Sequence, residues 1–149
     1  MTTILFLCHG NICRSPMAEM IFRDLADKAG CGERFRAVSA ALTDDEIGND
    51  IFPPAKRMLR QKGVPFVRHR AHRVTRAELE DAQLVIIMDE ENRWLLHRLF
   101  GSGFDGKTRL MMEYAGERRD VADPWYTDDF EQAFRDIDAG CRGLLKALI

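Results

Sequence analysis

With 149 residues, 46% of them hydrophobic and 31% charged, the chain has the size of one domain around one core, residues 1–149, and the composition of neither a disordered nor a fibrous protein. A formal net charge of −2 argues against a general polyanion-binding surface, so no nucleic-acid partner is expected, and no run approaches the roughly 20 apolar residues of a membrane helix. Met1-Thr2-Thr3 leads straight into apolar sequence without the regions of a signal peptide, and Cys8, Cys13, Cys31 and Cys141 make neither Cys-x-x-Cys pairs nor a dense disulfide framework, so a cytoplasmic protein with reduced thiols is expected.

The continuous apolar run Ile4-Leu5-Phe6-Leu7 predicts a strand buried on both faces. Cys8 to Ser15 then form a loop, and Pro16 opens a helix with Ser15 as its N-cap. A loop between the carboxyl end of a strand and the amino end of a helix binds anions, because unpaired backbone N–H groups and the positive end of the helix dipole point into it. Gly10 and Asn11 are the residue types that most easily take positive φ and fold such a loop into a ring of donors. The same field favours the thiolate of Cys8. Cys8 and Arg14 with five residues between them mean little alone; the strand before, Gly-Asn within and Ser-Pro after supply the context that this chemistry requires.

Residues 16–29 read as an amphipathic helix with Met17, Met20, Ile21, Leu25 and Ala29 on its apolar stripe and Gly30 as the stop. Phe35 to Ser39 form a shorter strand, and Ala40 to Phe52 have no period and read as a long loop. Pro53-Pro54 starts a helix that places Ala55, Met58 and Leu59 inward and ends at Gly63. Thr75-Arg76-Ala77-Glu78 is a capping box, and Leu84 to Met88 form the strongest buried strand. In the helix that follows, Trp94, Leu95 and Leu99 are expected on the inner face. Gly101 to Gly106 read as a turn and Arg109 to Met112 as the last strand. A long terminal helix carries Phe130, Ala133, Phe134, Ile137, Cys141, Leu144, Leu145 and Leu148 on one face, with Cys141 in the core. Strands alternating with helices imply right-handed crossovers and a three-layer α/β fold: a parallel sheet of about four strands with helices on both faces. Ligands bind outside the carboxyl ends of such strands, where Cys8 lies.

The loop Cys8-His9-Gly10-Asn11-Ile12-Cys13-Arg14-Ser15-Pro16 resembles the signature of the low-molecular-weight protein tyrosine phosphatases, and Asp123-Pro124-Trp125-Tyr126 resembles that family's second motif. Val38 to Ala41, Glu46 to Asn49, His69 to Ala71 and Ile87 to Asn92 fall in the family's order, so the resemblance spans nearly the whole chain. It implies the phosphotyrosine protein phosphatase I fold, a phosphotyrosine protein or aryl phosphate as substrate, inorganic phosphate as product, no cofactor, and attack by the Cys8 thiolate to give a cysteinyl-phosphate. The planar fork of Arg14 can hold two phosphate oxygens while N–H groups of residues 8–15 hold the rest. Ser15 can donate to the thiolate or cap the helix; both readings stay open. Asn11 is expected to hold the left-handed turn, and by the resemblance His69 hydrogen-bonds behind the loop. Asp123, beside Pro124 and two aromatics, is the expected general acid. Trp125 and Tyr126 are expected to form a slot for an aryl ring with Ile12. Trp125 departs from the paired tyrosines frequent in the family, which bears on substrate preference.

Cys13, in the same loop as Cys8, is either a small apolar residue packed beneath it or the resolving thiol for an oxidised Cys8, the role thought to belong to it in this family. Thiol-dependent arsenate reductases share the loop but relay electrons through a further cysteine pair, and no cysteine lies between Cys31 and Cys141. Phosphoarginine is the alternative substrate, and a phosphate-binding module without catalysis is a weaker reading. His69-x-x-His72 lacks a third ligand, so no metal is expected. The chain is expected to act as a monomer.

Overall fold

The computed structural model describes residues 1–149. Four strands, β1 (Thr2–Cys8), β2 (Phe35–Ala41), β3 (Leu84–Ile87) and β4 (Thr108–Leu110), form one sheet in the order β2-β1-β3-β4 with every neighbouring pair parallel. β1 is central. It pairs residue for residue with β2 from Thr2↔Phe35 to Cys8↔Ala41, and with β3 through Ile4↔Leu84 to Phe6↔Ile86. Helices α1 (Arg14–Lys28), α2 (Pro53–Gln61) and α6 (Phe130–Leu148) cover one face, and α3 (Arg76–Asp81) and α4 (Glu90–Phe100) the other.

The strand period of two sorts β1 between the layers: Ile4 and Phe6 pack with α1 and α6, while Leu5 and Leu7 pack with Leu79 of α3 and Leu96 of α4. The chain leaves β1 toward β2 and later crosses back to β3 on the other side. The winding therefore reverses between β1 and β3, and a crevice opens beyond their carboxyl ends, where Cys8 and Asp89 lie. α6 lies close to the turn Met111–Ala115 because Gly143 has no side chain: a Cβ there would lie 1.9 Å from the carbonyl oxygen of Tyr114. No helix is long and apolar enough to cross a membrane.

Several expected details change. β2 runs two residues further, to Ala41, because the whole of β1 pairs with it. β4 stops at Leu110, and Met111 and Met112 enter a 3₁₀ turn that buries both. Ala29 is exposed at the end of α1. On α4, Trp94 is 58% exposed, and Asn92 and Leu96, one turn apart, face inward with Leu95 and Leu99 partly buried. A polar residue takes the inner position because Asn92 Oδ1 accepts the N–H groups of Met88 and Asp89, two backbone donors at the strand-to-helix corner. Trp94 is left outside, with the guanidinium of Arg98 5.2 Å above its ring.

Candidate active site

The loop between β1 and α1 turns on Asn11, which has φ +60°. Gly10 serves differently from the sequence-based expectation: its φ is not positive, but a Cβ at this position would come within 3.2 Å of Glu46 Cγ. The thiol of Cys8 sits at the focus of the loop. Its Sγ accepts the backbone N–H groups of Asn11 at 3.3 Å and Ser15 at 3.4 Å, and lies 3.0 Å from Ser15 Oγ.

Asn11 Nδ2 donates to Ser15 Oγ at 2.8 Å, which leaves the hydroxyl's own hydrogen free to point at the sulfur. The structure thus separates the two readings of Ser15. α1 begins at Arg14 with Cys13 as N-cap and no side-chain capping bond, so Ser15 is not the cap, and its hydroxyl is placed to donate to Cys8 when the sulfur is a thiolate. Asn11 Nδ2 also donates to Ser39 Oγ at 3.0 Å, and that hydroxyl donates to Glu19 at 2.6 Å.

Behind the turn, His69 Nε2 donates to the carbonyl of Asn11 at 2.7 Å. The backbone N–H of His69 is in turn held by Asp50 at 2.9 Å. Burial raises the pKa of Asp50, but hydrogen bonds from Lys56 and the amides of His69 and Ile51 outweigh it and hold the carboxyl down to about 2. His72 faces away, toward Glu78 at 2.8 Å. No three His, Cys, Asp or Glu side chains converge to hold a metal ion.

Arg14 is 2% exposed, and its guanidinium is fixed from behind. Nη1 donates to Asp89 at 2.7 Å and to the carbonyl of Val121 at 2.8 Å, while Nη2 donates to Asp123 at 3.3 Å. Burial alone would lower the Arg14 pKa; Cys8, Asp89 and Asp123 more than reverse this, so the charge is secure. Asp89 is the functional residue that sequence reasoning missed. Its Oδ1 caps α4 through the N–H of Asn92 at 2.7 Å, and its Oδ2 anchors Arg14. An acid directly after the buried strand was the available signal.

Asp123 reaches the loop from a short helix, α5 (Pro124–Thr127), which it caps: Oδ1 accepts the N–H of Trp125 at 3.0 Å while Oδ2 faces Arg14. One cavity of about 180 Å³ is lined by Cys8, Ile12, Arg14, Asp123, Trp125 and Tyr126. That is below the roughly 300–1,000 Å³ of a typical drug-sized site and suits one ring bearing one phosphoryl group. The Trp125 ring leans on Phe52 at 5.0 Å, and Phe52 stacks on Phe130 at 6.0 Å, so the outer wall of the slot rests on core aromatics. Tyr126 is 81% exposed at the mouth.

Asp45 and Glu46 also line the cavity, carboxylates that the long loop gave no reason to place there. His9 stands on the same rim between Asp45 at 2.7 Å and Glu91 at 3.4 Å. Cys13 is buried, and that burial, with Cys8 and Asp123 nearby, pushes its thiol up, so it stays protonated.

The sequence model of the low molecular weight phosphotyrosine protein phosphatases matches residues 3–149. A low molecular weight protein-tyrosine-phosphatase of Bacillus subtilis, YfkJ, is 38% identical over 150 residues, covering 99% of this chain and 96% of its own. Its crystal structure superposes with a TM-score of 0.95, covering 99% of this chain and 94% of that one. The human low molecular weight phosphotyrosine protein phosphatase is 32% identical over 149 residues, covering 97% of this chain and 94% of its own. The YwlE arginine phosphatase, solved with a phosphorylated active-site serine, is 29% identical with a TM-score of 0.88, covering 99% and 95%.

Proposed function

From a chain that belongs to the low molecular weight phosphotyrosine protein phosphatases, hydrolases of phosphoric monoesters, we propose that Cys8, Arg14 and Asp123 carry the reaction. The phosphoryl group occupies the loop from Cys8 to Ser15, held by its backbone N–H groups and by Arg14, whose orientation Asp89 and Val121 have already set. The Cys8 thiolate attacks phosphorus in line, an S–P bond forms, and the P–O bond to the leaving group breaks. Asp123 gives that oxygen its proton. Water then attacks the cysteinyl-phosphate, Asp123 takes a proton from it, and cleavage of the S–P bond returns the thiolate and releases inorganic phosphate. The observation that carries this reading is the convergence of three donors, the Asn11 and Ser15 amides and the Ser15 hydroxyl, on Cys8 Sγ. They stabilise the sulfur anion both as nucleophile and as leaving group.

The substrate reading is a phosphotyrosine protein, supported by the apolar lining that Ile12 and the aromatic rings of Trp125 and Tyr126 give the cavity. Phosphoarginine is the second reading, because the arginine phosphatase YwlE is a structural neighbour. Arsenate reduction has less support: Cys141 is fully buried in α6, and Cys31 lies past the far end of α1 from the loop. We assign the protein to the cytoplasm as a monomer.

A panel of phosphotyrosine, phosphoserine and phosphoarginine peptides with arsenate, given to the reduced enzyme, tests these choices; turnover confined to phosphotyrosine is expected. In the same assay Trp125→Ala or Tyr126→Ala raises KM for phosphotyrosine by up to about tenfold, equivalent to about 1.4 kcal/mol of lost aryl contact, with inhibition by inorganic phosphate unchanged. Parallel loss of both would make the aromatics supports of the fold.

We read Cys13 as the resolving thiol, supported by its place in the same loop, near enough to Cys8 for that sulfur to help push its thiol up. When peroxide oxidises Cys8 to the sulfenic acid, the Cys13 thiol condenses with it, forming the disulfide and releasing water. Wild type is then inactivated reversibly, protected by phosphate and restored by a dithiol, whereas Cys13→Ser loses activity for good. Mass spectrometry of the oxidised wild type should show a linked Cys8–Cys13 peptide pair; sulfinic acid at Cys8 in both proteins, without the link, would refute the switch.

A further inference from the structure

We propose that the ion pair between Arg119 and Asp136 is a positioning lock for Asp123, tying the segment that carries the general acid to the C-terminal helix. The inference rests on the reading of Asp123 given above. Residues 117–123 contain neither helix nor strand, so the course of this segment is set by what it is tied to. Val121 is buried between two backbone contacts: its N–H donates to the carbonyl of Met88 at 2.8 Å, and its own carbonyl accepts from Arg14. One residue earlier, Asp120 accepts the N–H of Glu90 at 3.2 Å, in the first turn of α4. Both ties hold the segment to the β3–α4 corner.

Arg119 reaches the other way. Its Nη1 and Nη2 donate to the two oxygens of Asp136 at 2.9 and 2.8 Å, the parallel two-bond geometry that fixes orientation as well as distance. Asp136 is only 4% exposed and accepts a further bond from Gln132 at 2.9 Å, so its carboxylate is itself immobile. The helix that bears it is seated by the glycine contact with Tyr114 described above. Glu117 steadies the guanidinium from its open side, with Oε2 accepting from Nε at 3.0 Å.

The buried carboxylate and the two-bond geometry make this more than a loose surface pair, and it removes the freedom of the segment to lift away. The value of that restraint lies in rate, since a general acid must stand within hydrogen-bond reach of the leaving oxygen and a misplacement of about 1 Å can cost on the order of 10²-fold. Arg119 and Asp136 are thus positioning residues that act through Asp123.

The test compares kcat/KM for phenyl phosphate, a poor leaving group, with that for nitrophenyl phosphate, a good one. Arg119→Ala should lower the first about tenfold and the second less than twofold, with phosphate inhibition unchanged. Arg119→Lys, which keeps the charge without the fork, should fall between. Asp136→Asn, which keeps the shape and the Gln132 contact, should repeat the pattern if the alanine variant does not fold. In an Asp123→Ala background, Arg119→Ala should add nothing on either ester. Equal losses on both esters, or a further loss in that background, would overturn the lock in favour of a general packing role. If Asp123→Ala alone shows no leaving-group dependence, the general-acid reading fails and takes the lock with it; if it does and none of the Arg119 or Asp136 variants does, the lock alone is wrong.

Discussion

Cys8→Ser is expected to abolish turnover, by about 10⁴-fold or more, while phosphate and vanadate bind at least as tightly as to the wild type. The substitution removes the nucleophile and little else. The amides of Asn11 and Ser15 and the Ser15 hydroxyl stay in place, because Asn11 is held from behind by His69 and Ser39 rather than by the sulfur. Arg14 stays in place because its anchors are Asp89 and the carbonyl of Val121. Binding does not suffer, and losing the negative sulfur removes a repulsion against the incoming anion. Calorimetric titration of the purified variant with phosphate, beside an assay with phosphotyrosine peptide, reads both halves. Substantial hydrolysis would remove Cys8 as nucleophile; loss of binding would mean that the sulfur organises the loop.

The second large effect belongs to Asp123. Asp123→Ala should lower kcat/KM for esters with poor leaving groups by about 10²–10⁴, while esters of nitrophenol, whose anion needs no proton, change far less. The comparison belongs in kcat/KM, which reports the first chemical step. In kcat both esters share hydrolysis of the same cysteinyl-phosphate, where Asp123 also acts. The alanine has a side effect, since Asp123 caps α5 through the N–H of Trp125 and a lost cap costs about 1 kcal/mol. Asp123→Asn keeps an oxygen for the cap and gives up only the proton transfer, so it should show the same leaving-group dependence with α5 intact. Equal losses on both kinds of ester in both variants would assign protonation to another group.

What could be read from the sequence, and what could not, follows from the range of the interactions. β1, its loop and the start of α1 were legible because an apolar run, a Gly-Asn pair and a proline act on their immediate neighbours. Their detail was not. Ser-Pro suggested a cap at Ser15 with the helix opening at Pro16, but the helix opens two residues earlier, at Arg14, which leaves the hydroxyl facing Cys8. Asp89 was hidden because one carboxylate performs a local task and a distant one, and only the local task leaves a pattern in the sequence. Trp94 was misplaced because hydropathy ranks it above Asn92, whereas two backbone donors at the corner required a polar partner inside. The carboxylates of Asp45 and Glu46 reached the cavity through a loop without period, where side-chain direction depends on contacts such as the hydrogen bond of Thr43 with the carbonyl of His9.

The span of the contacts around Arg14 bears on how the enzyme comes into being. Its two carboxylate partners lie 75 and 109 residues further along the chain, and the histidine behind Asn11 lies 58 residues beyond it. Synthesis runs from the amino end, so the nucleophile leaves the ribosome long before the groups that equip it. A nascent or partly folded chain therefore carries Cys8 as an ordinary cysteine, with neither a fixed arginine nor an acid across from it. With Asp123 as the proposed general acid, full activity on unactivated esters requires the last third of the chain to have docked, so recovered activity on them reports completed folding more strictly than recovered helix content does.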